Sequence, residues 1–198
     1  SLDLTTQFAE QVTVNQLVQN VVYASGAISA LFVVVGLLLI DVGASRRRSG
    51  FNSTVEKLVG FFIGFVTFFL IGFAIWASQY YIMAGGTMAD SIRDWWAGGV
   101  LSNALAQNVD PAIFPGINNY QIFIFFIAAF AGIANILLHF AVAERMKPSA
   151  FYITCFVTTI VFGFVAYWTW GSVGPLTNRG FHDFFGVGFV YLLPAGMA

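Results

Sequence analysis

Charge is what this sequence lacks most. Asp, Glu, Lys and Arg make up 9% of its 198 residues, against about a quarter in a soluble domain. So few charges cannot cover a water-facing surface of this size, and lipid must surround much of the chain. Eight Lys and Arg against nine Asp and Glu leave no basic excess of the kind nucleic-acid binding needs. Cys155 is the single cysteine and sits in an apolar run, which rules out an intrachain disulfide and a cysteine-based metal site. Two histidines without a dense acidic cluster argue against a metal centre. No Ser-His-Asp arrangement and no phosphate-binding glycine loop occurs. His182 and Asp183 are chain neighbours, which point different ways on a helix. An enzyme is therefore not expected. Strand-type alternation is missing too, so neither is a β-barrel.

What is present is apolar bulk: 59% hydrophobic residues, 23 Phe and a mean hydropathy of +0.82. Five apolar segments stand out, at roughly 17–40, 57–82, 119–143, 149–170 and 184–198. Crossing about 30 Å of hydrocarbon takes about 20 such residues in a helix. The first four are long enough; the fifth is shorter and looks truncated. The expected fold is an all-α integral membrane protein, with residues 1–198 forming a single membrane domain. The first segment is too long for a cleavable signal and lacks a basic flank before it. A chain that opens on Ser1 is expected to be processed or incomplete at that end.

Arg46, Arg47, Arg48 and Lys57 follow the first segment, and Arg145 and Lys147 follow the third; elsewhere only Arg93 and Arg179 remain. The positive-inside rule places loops 41–57 and 144–149 in the cytoplasm and the N-terminus outside. The loop at about 83–118 is then external. It carries Asp90, Asp94, Asp110, Pro111, Pro115 and the pair Trp95–Trp96. Near 89–101, "ADSIRDWWAGGVL", polar and apolar residues alternate at helical spacing, which predicts a short interfacial helix. Trp76, Tyr80, Tyr81 and Tyr120 fit interfacial anchors.

Polar groups inside apolar segments carry most information, because burying them in lipid is costly. His139 lies near the end of the third segment. It suits a hydrogen bond between helices, or ligation of a pigment metal between them; His182 is a second candidate for the latter. Glu144 and Arg145 suit interfacial pairing. Asp41, at the end of the first segment, suits the basic cluster that follows it. An Asp at a helix start, as at Asp183, can accept from free N–H groups of the first turn.

One stretch is more specific. "AVAERMKPSA", 141–150, closely resembles the G-A-V-A-E-R-(M/I)-(K/R)-x-S-A signature of the ammonium transporter family (Amt/Mep/Rh). In the same order, "LLLIDVGASRRRSGFNSTVEKL" resembles the turn after that family's first helix, "AYWTWGSVG" resembles A-H-W-x-W-G, and "HDFFGVGFVYLLPAG" resembles D-F-A-G-G-x-V-V-H-I. The resemblance runs from about residue 17 to the end and covers the first of the family's two inverted five-helix halves. It implies membrane lipid surroundings, a homotrimer or larger membrane complex, and conduction of ammonium, ammonia or a similar small solute. By the same resemblance Trp170 matches the outer recruitment Trp, Phe130 the outer gate Phe, and Asp183 the structural Asp behind the outer cation site. An aromatic face suits an ammonium ion losing water, worth about 0.5–2 kcal/mol.

The departures lie on the pore path. The first pore His of the family falls on Tyr191, whose phenol, with a pKa of about 10, takes up no proton near neutrality. Asp41 stands for Glu, Ile127 for a usual Gln, and Phe185, Gly186, Val187 for A-G-G. A second expectation follows: an accessory or structural subunit of a larger membrane complex that has lost transport. A Phe-filled bundle would favour this one. A polar file through the bundle would favour transport. A macrocycle over His139 would favour pigment or lipid binding.

Overall fold

The computed structural model describes residues 4–44, 50–96, 117–143, 145–171 and 173–197. Arg46, Arg47, Arg48, Asp110, Pro111, Pro115 and Glu144, and the side chains of Tyr120 and Phe185, lie outside what is described. Every described element is helical: α1 (Leu4–Ala44), α2 (Gly50–Thr67), α3 (Phe73–Met83), α4 (Met88–Trp96), α5 (Ile117–Val142), α6 (Pro148–Trp170) and α7 (Leu193–Met197). Four runs are long and apolar enough to cross a membrane: Val14–Ala44, Gly50–Met83, Gln121–Val142 and Pro148–Trp170.

The helices outrun the apolar segments. Residues 4–16 contain Leu, Gln, Ala and Glu, all good helix formers, and α1 extends through them. At its other end α1 continues to Ala44 while α2 already starts at Gly50. The expected loop 41–57 is therefore mostly helix, and Asp41 and Lys57 are helical residues. Between α5 and α6, Lys147 is extended at φ −68°, ψ 144°, as the residue before a proline prefers. Pro148 then opens α6 where a missing N–H costs nothing.

α5 forms the centre. Its Ala128, Ala129, Ala131, Gly132 and Ala134 allow close approach of neighbouring backbones, the means of helix association where lipid removes the hydrophobic drive. A methyl group on Gly64 of α2 would lie 2.5 Å from the Asn135 amide nitrogen and 2.9 Å from the Ala131 carbonyl oxygen. Asn135, fully buried, donates from Nδ2 to the Gly60 carbonyl (3.1 Å) and to Thr159 Oγ1 (3.2 Å). One amide thus ties α2, α5 and α6 together.

α2 and α3 form one run interrupted by a π turn at Phe68–Gly72, closed by Phe73 N–H donating to the Phe68 carbonyl. Such turns displace carbonyls from the α ladder. The Phe69 carbonyl accepts the Trp95 indole N–H at 3.3 Å, and the Ala74 carbonyl accepts Ser91 Oγ at 2.7 Å. These bonds fold α4 back onto the run, with Ser91 and Trp95, one turn apart, as its buried face. Thr87 and Asp90 cap its start reciprocally. The Thr87 hydroxyl and backbone N–H hold the exposed Asp90 carboxyl below the usual carboxylate range. So a helix stands where one was expected, as α4, over the described part of 89–101. Trp76 is not an interfacial anchor, however: it is 6% exposed and packs among rings.

The fifth segment is not one regular helix. It runs as a 3-10 turn (Phe184–Gly186), a π turn (Gly188–Leu192) and α7. Gly186 sits at φ 67°, which a residue with a side chain seldom adopts.

Because Gly64 meets a backbone oxygen as well as the Asn135 amide, Gly64→Ala is expected to cost about 1–3 kcal/mol through overpacking. Thermal unfolding of purified protein in detergent would measure it.

Candidate functional site

Two clusters of functional side chains occupy opposite ends of the bundle. At the end where α3 stops and α6 ends, rings form a continuous line. Trp170, partly exposed at the last residue of α6, stacks on Phe123 of α5 with centroids 6.1 Å apart and planes 27° apart. Its other neighbour is Phe189, at 5.7 Å. Phe123 also meets Trp76 at 5.2 Å and Tyr23 of α1 at 5.0 Å. From Tyr23 the line continues to Phe126 (5.7 Å) and from there to Phe130 (4.8 Å). The buried Trp76 Nε1–H has no hydrogen-bond partner among the described residues. An orphan donor of this kind is commonly met by water or a small solute.

Asp183, 8% exposed, precedes this end of the fifth segment. Both its carboxylate oxygens accept from the Gly188 N–H, at 3.1 and 3.0 Å. The carboxylate therefore caps the π turn that carries Phe189, skipping the 3-10 turn next to it. Tyr191 lies on the same π turn but is 48% exposed, and no ring contact joins it to the aromatic line among the described residues.

The opposite end holds the charges. Lys57 is fully buried. Its ammonium donates to Asp41 Oδ1 at 2.7 Å, Ser53 Oγ at 3.0 Å and His139 Nδ1 at 2.8 Å. Lysine has three N–H donors and no acceptor, so these three contacts use them all. The Phe140 ring lies over the same nitrogen, 4.4 Å from its centroid. Since His139 Nδ1 must accept, its proton sits on Nε2 and is donated to Glu56 Oε2 at 2.9 Å. Phe151 of α6 closes the ring from the side, edge-on at 4.6 Å. Ser53 Oγ donates to Asp41 Oδ1 at 3.2 Å. The result is a chain, Asp41–Lys57–His139–Glu56, that joins α1, α2 and α5.

The model of the Ammonium Transporter Family matches residues 21–198. This chain belongs to that family. Among the curated relatives of this ammonium-transporter-family chain, sll1017 of Synechocystis sp. is 27% identical over 92% of the chain and 37% of its own length. A Methanothermobacter thermautotrophicus relative is 30% identical over 88% of the chain and 40% of its own length. Ammonium transporter Amt2 of Archaeoglobus fulgidus is 25% identical over 84% of the chain and 31% of its own length. The chain thus spans about a third to two fifths of the relatives it matches. No solved structure matches it. Family membership and four long apolar helices make this chain part of an integral membrane protein.

Of the residues singled out from the sequence of this family member, Trp170 and Phe130 belong to one line of rings, with Phe123, Tyr23 and Phe126 between them. Asp183 reaches the line through Phe189. Tyr191 stays outside it. Ile127, where the family resemblance led one to expect Gln, is 1% exposed and part of the apolar core. Asp41 meets a member of its basic cluster, Lys57. Both ring nitrogens of His139 are engaged, so a metal ligand there would have to break one of these bonds. Among the described residues, no group of three His, Cys, Asp or Glu side chains could hold a metal ion.

Sequence reading missed the Lys57–His139–Glu56 links. One signal was available: Ser53 and Lys57 share a helix face at i,i+4 spacing if the helix starts near Gly50. A buried ion pair that loses one partner leaves an uncompensated charge, at about 3–5 kcal/mol. Asp41→Ala is expected to destabilise by about that much. Adding Lys57→Met should recover a large part of the loss, which denaturant unfolding of both variants would show.

Proposed function

We propose that the protein to which this chain belongs conducts ammonium or ammonia across a membrane, and that Trp170 receives the ion. The observation that carries this reading is the partly open Trp170 face, backed by Phe123 and Phe189 at the end of the bundle away from Arg145 and Lys147. A cation losing water is held by the negative faces of such rings. Phe130 gates the path beneath. Asp183 acts from behind by fixing the π turn that carries Phe189. It does not touch the ion.

The N-terminus lies outside and the Asp41–Lys57–His139 end faces the cytoplasm. Lys57, buried and paired, contributes little to that assignment; Arg46, Arg47, Arg48, Arg145 and Lys147 carry it. The working assembly is a homotrimer or a larger membrane complex. With Tyr191 in place of a pore histidine, proton uptake from ammonium at that position is replaced by hydrogen bonding alone.

One observation favours a second reading. The interior at the Trp170 end is filled by Phe68, Phe73, Phe162 and Phe189, each buried and in ring contact. A core of this kind suits an accessory subunit that has lost conduction.

Methylammonium uptake by cells or vesicles carrying the full-length protein separates the two. Trp170→Ala is expected to raise the half-saturating concentration by about 2- to 30-fold, the equivalent of one lost cation–π contact. Unchanged uptake by a folded variant would remove Trp170 from the path. If the accessory reading holds, the parent shows no uptake and Tyr191→His introduces flux. A silent Tyr191→His variant would leave Tyr191 without a blocking role.

A further inference from the structure

The charged end of the bundle has a feature that ammonium conduction does not use. His139 stands between a cation and an anion, both supplied by α2. Its side chain is 3% exposed, while that of Glu56 is 23% exposed. Glu56 is therefore the solvent-facing member of the chain, and His139 the first buried one. The imidazole is neutral in this arrangement by necessity, because Lys57 has no lone pair to offer and Nδ1 must accept from it.

We propose that His139 is a proton-binding site, reached from the loop side past Glu56, whose occupation breaks the Lys57–His139 bridge. The incoming proton ends on Nδ1, the one imidazole lone pair, after the ring turns away from Lys57. No other bond is made. Were the ring to stay in place, two N–H donors would face each other across a contact that is now 2.8 Å. His139 as a cation pairs more tightly with Glu56, and Lys57 is left to Asp41 and Ser53. The network divides. Before protonation α1, α2 and α5 are joined through Lys57; afterwards Lys57 joins only α1 to α2, and Glu56 alone holds α5.

α1 presents Asp41 to the site, and α2 presents Glu56, Lys57 and Ser53. From α6 the contact is the apolar Phe151 ring. Tyr152, next along α6, packs against that ring. The Phe140 ring covers Lys57 on the remaining side. Lys57 is fully buried, so water cannot screen the repulsion once it arises. The two charges are separated by protein alone, where they interact more strongly than at a surface.

This stretch of chain contains two histidines, His139 and His182. In a 15N-histidine NMR spectrum of the full-length protein in nanodiscs, the His139 signal is the one that His139→Gln removes, and the exposed His182 is identified in the same way by His182→Asn. At about pH 8 the His139 signal should be that of neutral imidazole protonated on Nε2. Acidification through the ordinary histidine range near pH 6.5 and below should convert it to imidazolium. Over the same interval the thermal midpoint of the protein should fall by about 2–4 °C. His139→Gln keeps both hydrogen bonds, its carbonyl accepting from Lys57 and its amide donating to Glu56, but does not titrate. That variant should lose the acid-dependent drop. The proposal is overturned by an imidazole already charged or protonated on Nδ1 at about pH 8, by one that stays neutral down to about pH 5, or by a His139→Gln midpoint that follows the parent's fall. Should the Gln variant fail to fold, His139→Asn makes the assignment and the histidine spectrum of the parent decides.

Discussion

A lysine ammonium buried away from water must find an acceptor for each of its three N–H bonds. Much of the arrangement at one end of this bundle follows from meeting that demand at Lys57. Asp41 has to be helical and turned inward, so α1 runs on to Ala44. Ser53 has to stand one turn before Lys57, so α2 begins early, at Gly50. The third acceptor comes from α5, and the tautomer of His139 is fixed as a consequence. Glu56 then takes the proton that remains. Removing water turns one side chain's valence into a rule for where three helices meet.

The middle of the bundle solves the same problem with amides and small residues. Asn135 supplies donors to α2 and α6, and glycine and alanine let the backbones come near enough for those bonds to close. At the far end the solution changes again. There the rings are many, and packing between π faces and edges, each worth about 0.5–1.5 kcal/mol beyond area, helps to hold the helices. Charge, amide and aromatic layers thus succeed one another along the bundle axis.

Most of the fold was legible because lipid leaves an unambiguous mark: long apolar runs with polar interruptions. The helices themselves begin ahead of those runs, α1 at Leu4 and α2 at Gly50. α4 was legible from its alternation of Ser91 and Trp95 with Asp90 and Asp94. The charged network was not. Lys57 precedes its apolar run, so counting hydropathy assigned it to a loop, whereas the helix begins ahead of the run and swings it inward. His139 was recognised as costly, but its partners sit on α2, and no spacing rule links residues across helices. The two π turns carry no sequence signature. At the first of them a neighbour bonds a carbonyl of the turn, as Trp95 does at Phe69. The aromatic line needed three dimensions for a similar reason: Tyr23, which joins Phe123 to Phe126, lies far from both in sequence.

The π turn at Phe68–Gly72 has a mechanical corollary. One extra residue in a turn rotates all that follows by about 100° relative to a regular α-helix. Below the turn, Gly60 and Gly64 face the amide seam around Asn135; above it, Phe73 and Trp76 face the rings. The run Gly50–Met83 is therefore a screw whose thread changes phase partway along its shaft. A helix of uniform thread can slip one turn past its neighbour and find equivalent grooves. This one cannot, because a displacement that re-engages one seam leaves the other out of step. Axial sliding is thereby blocked, and motion against α5 is confined to tilting or to rotation at the ends.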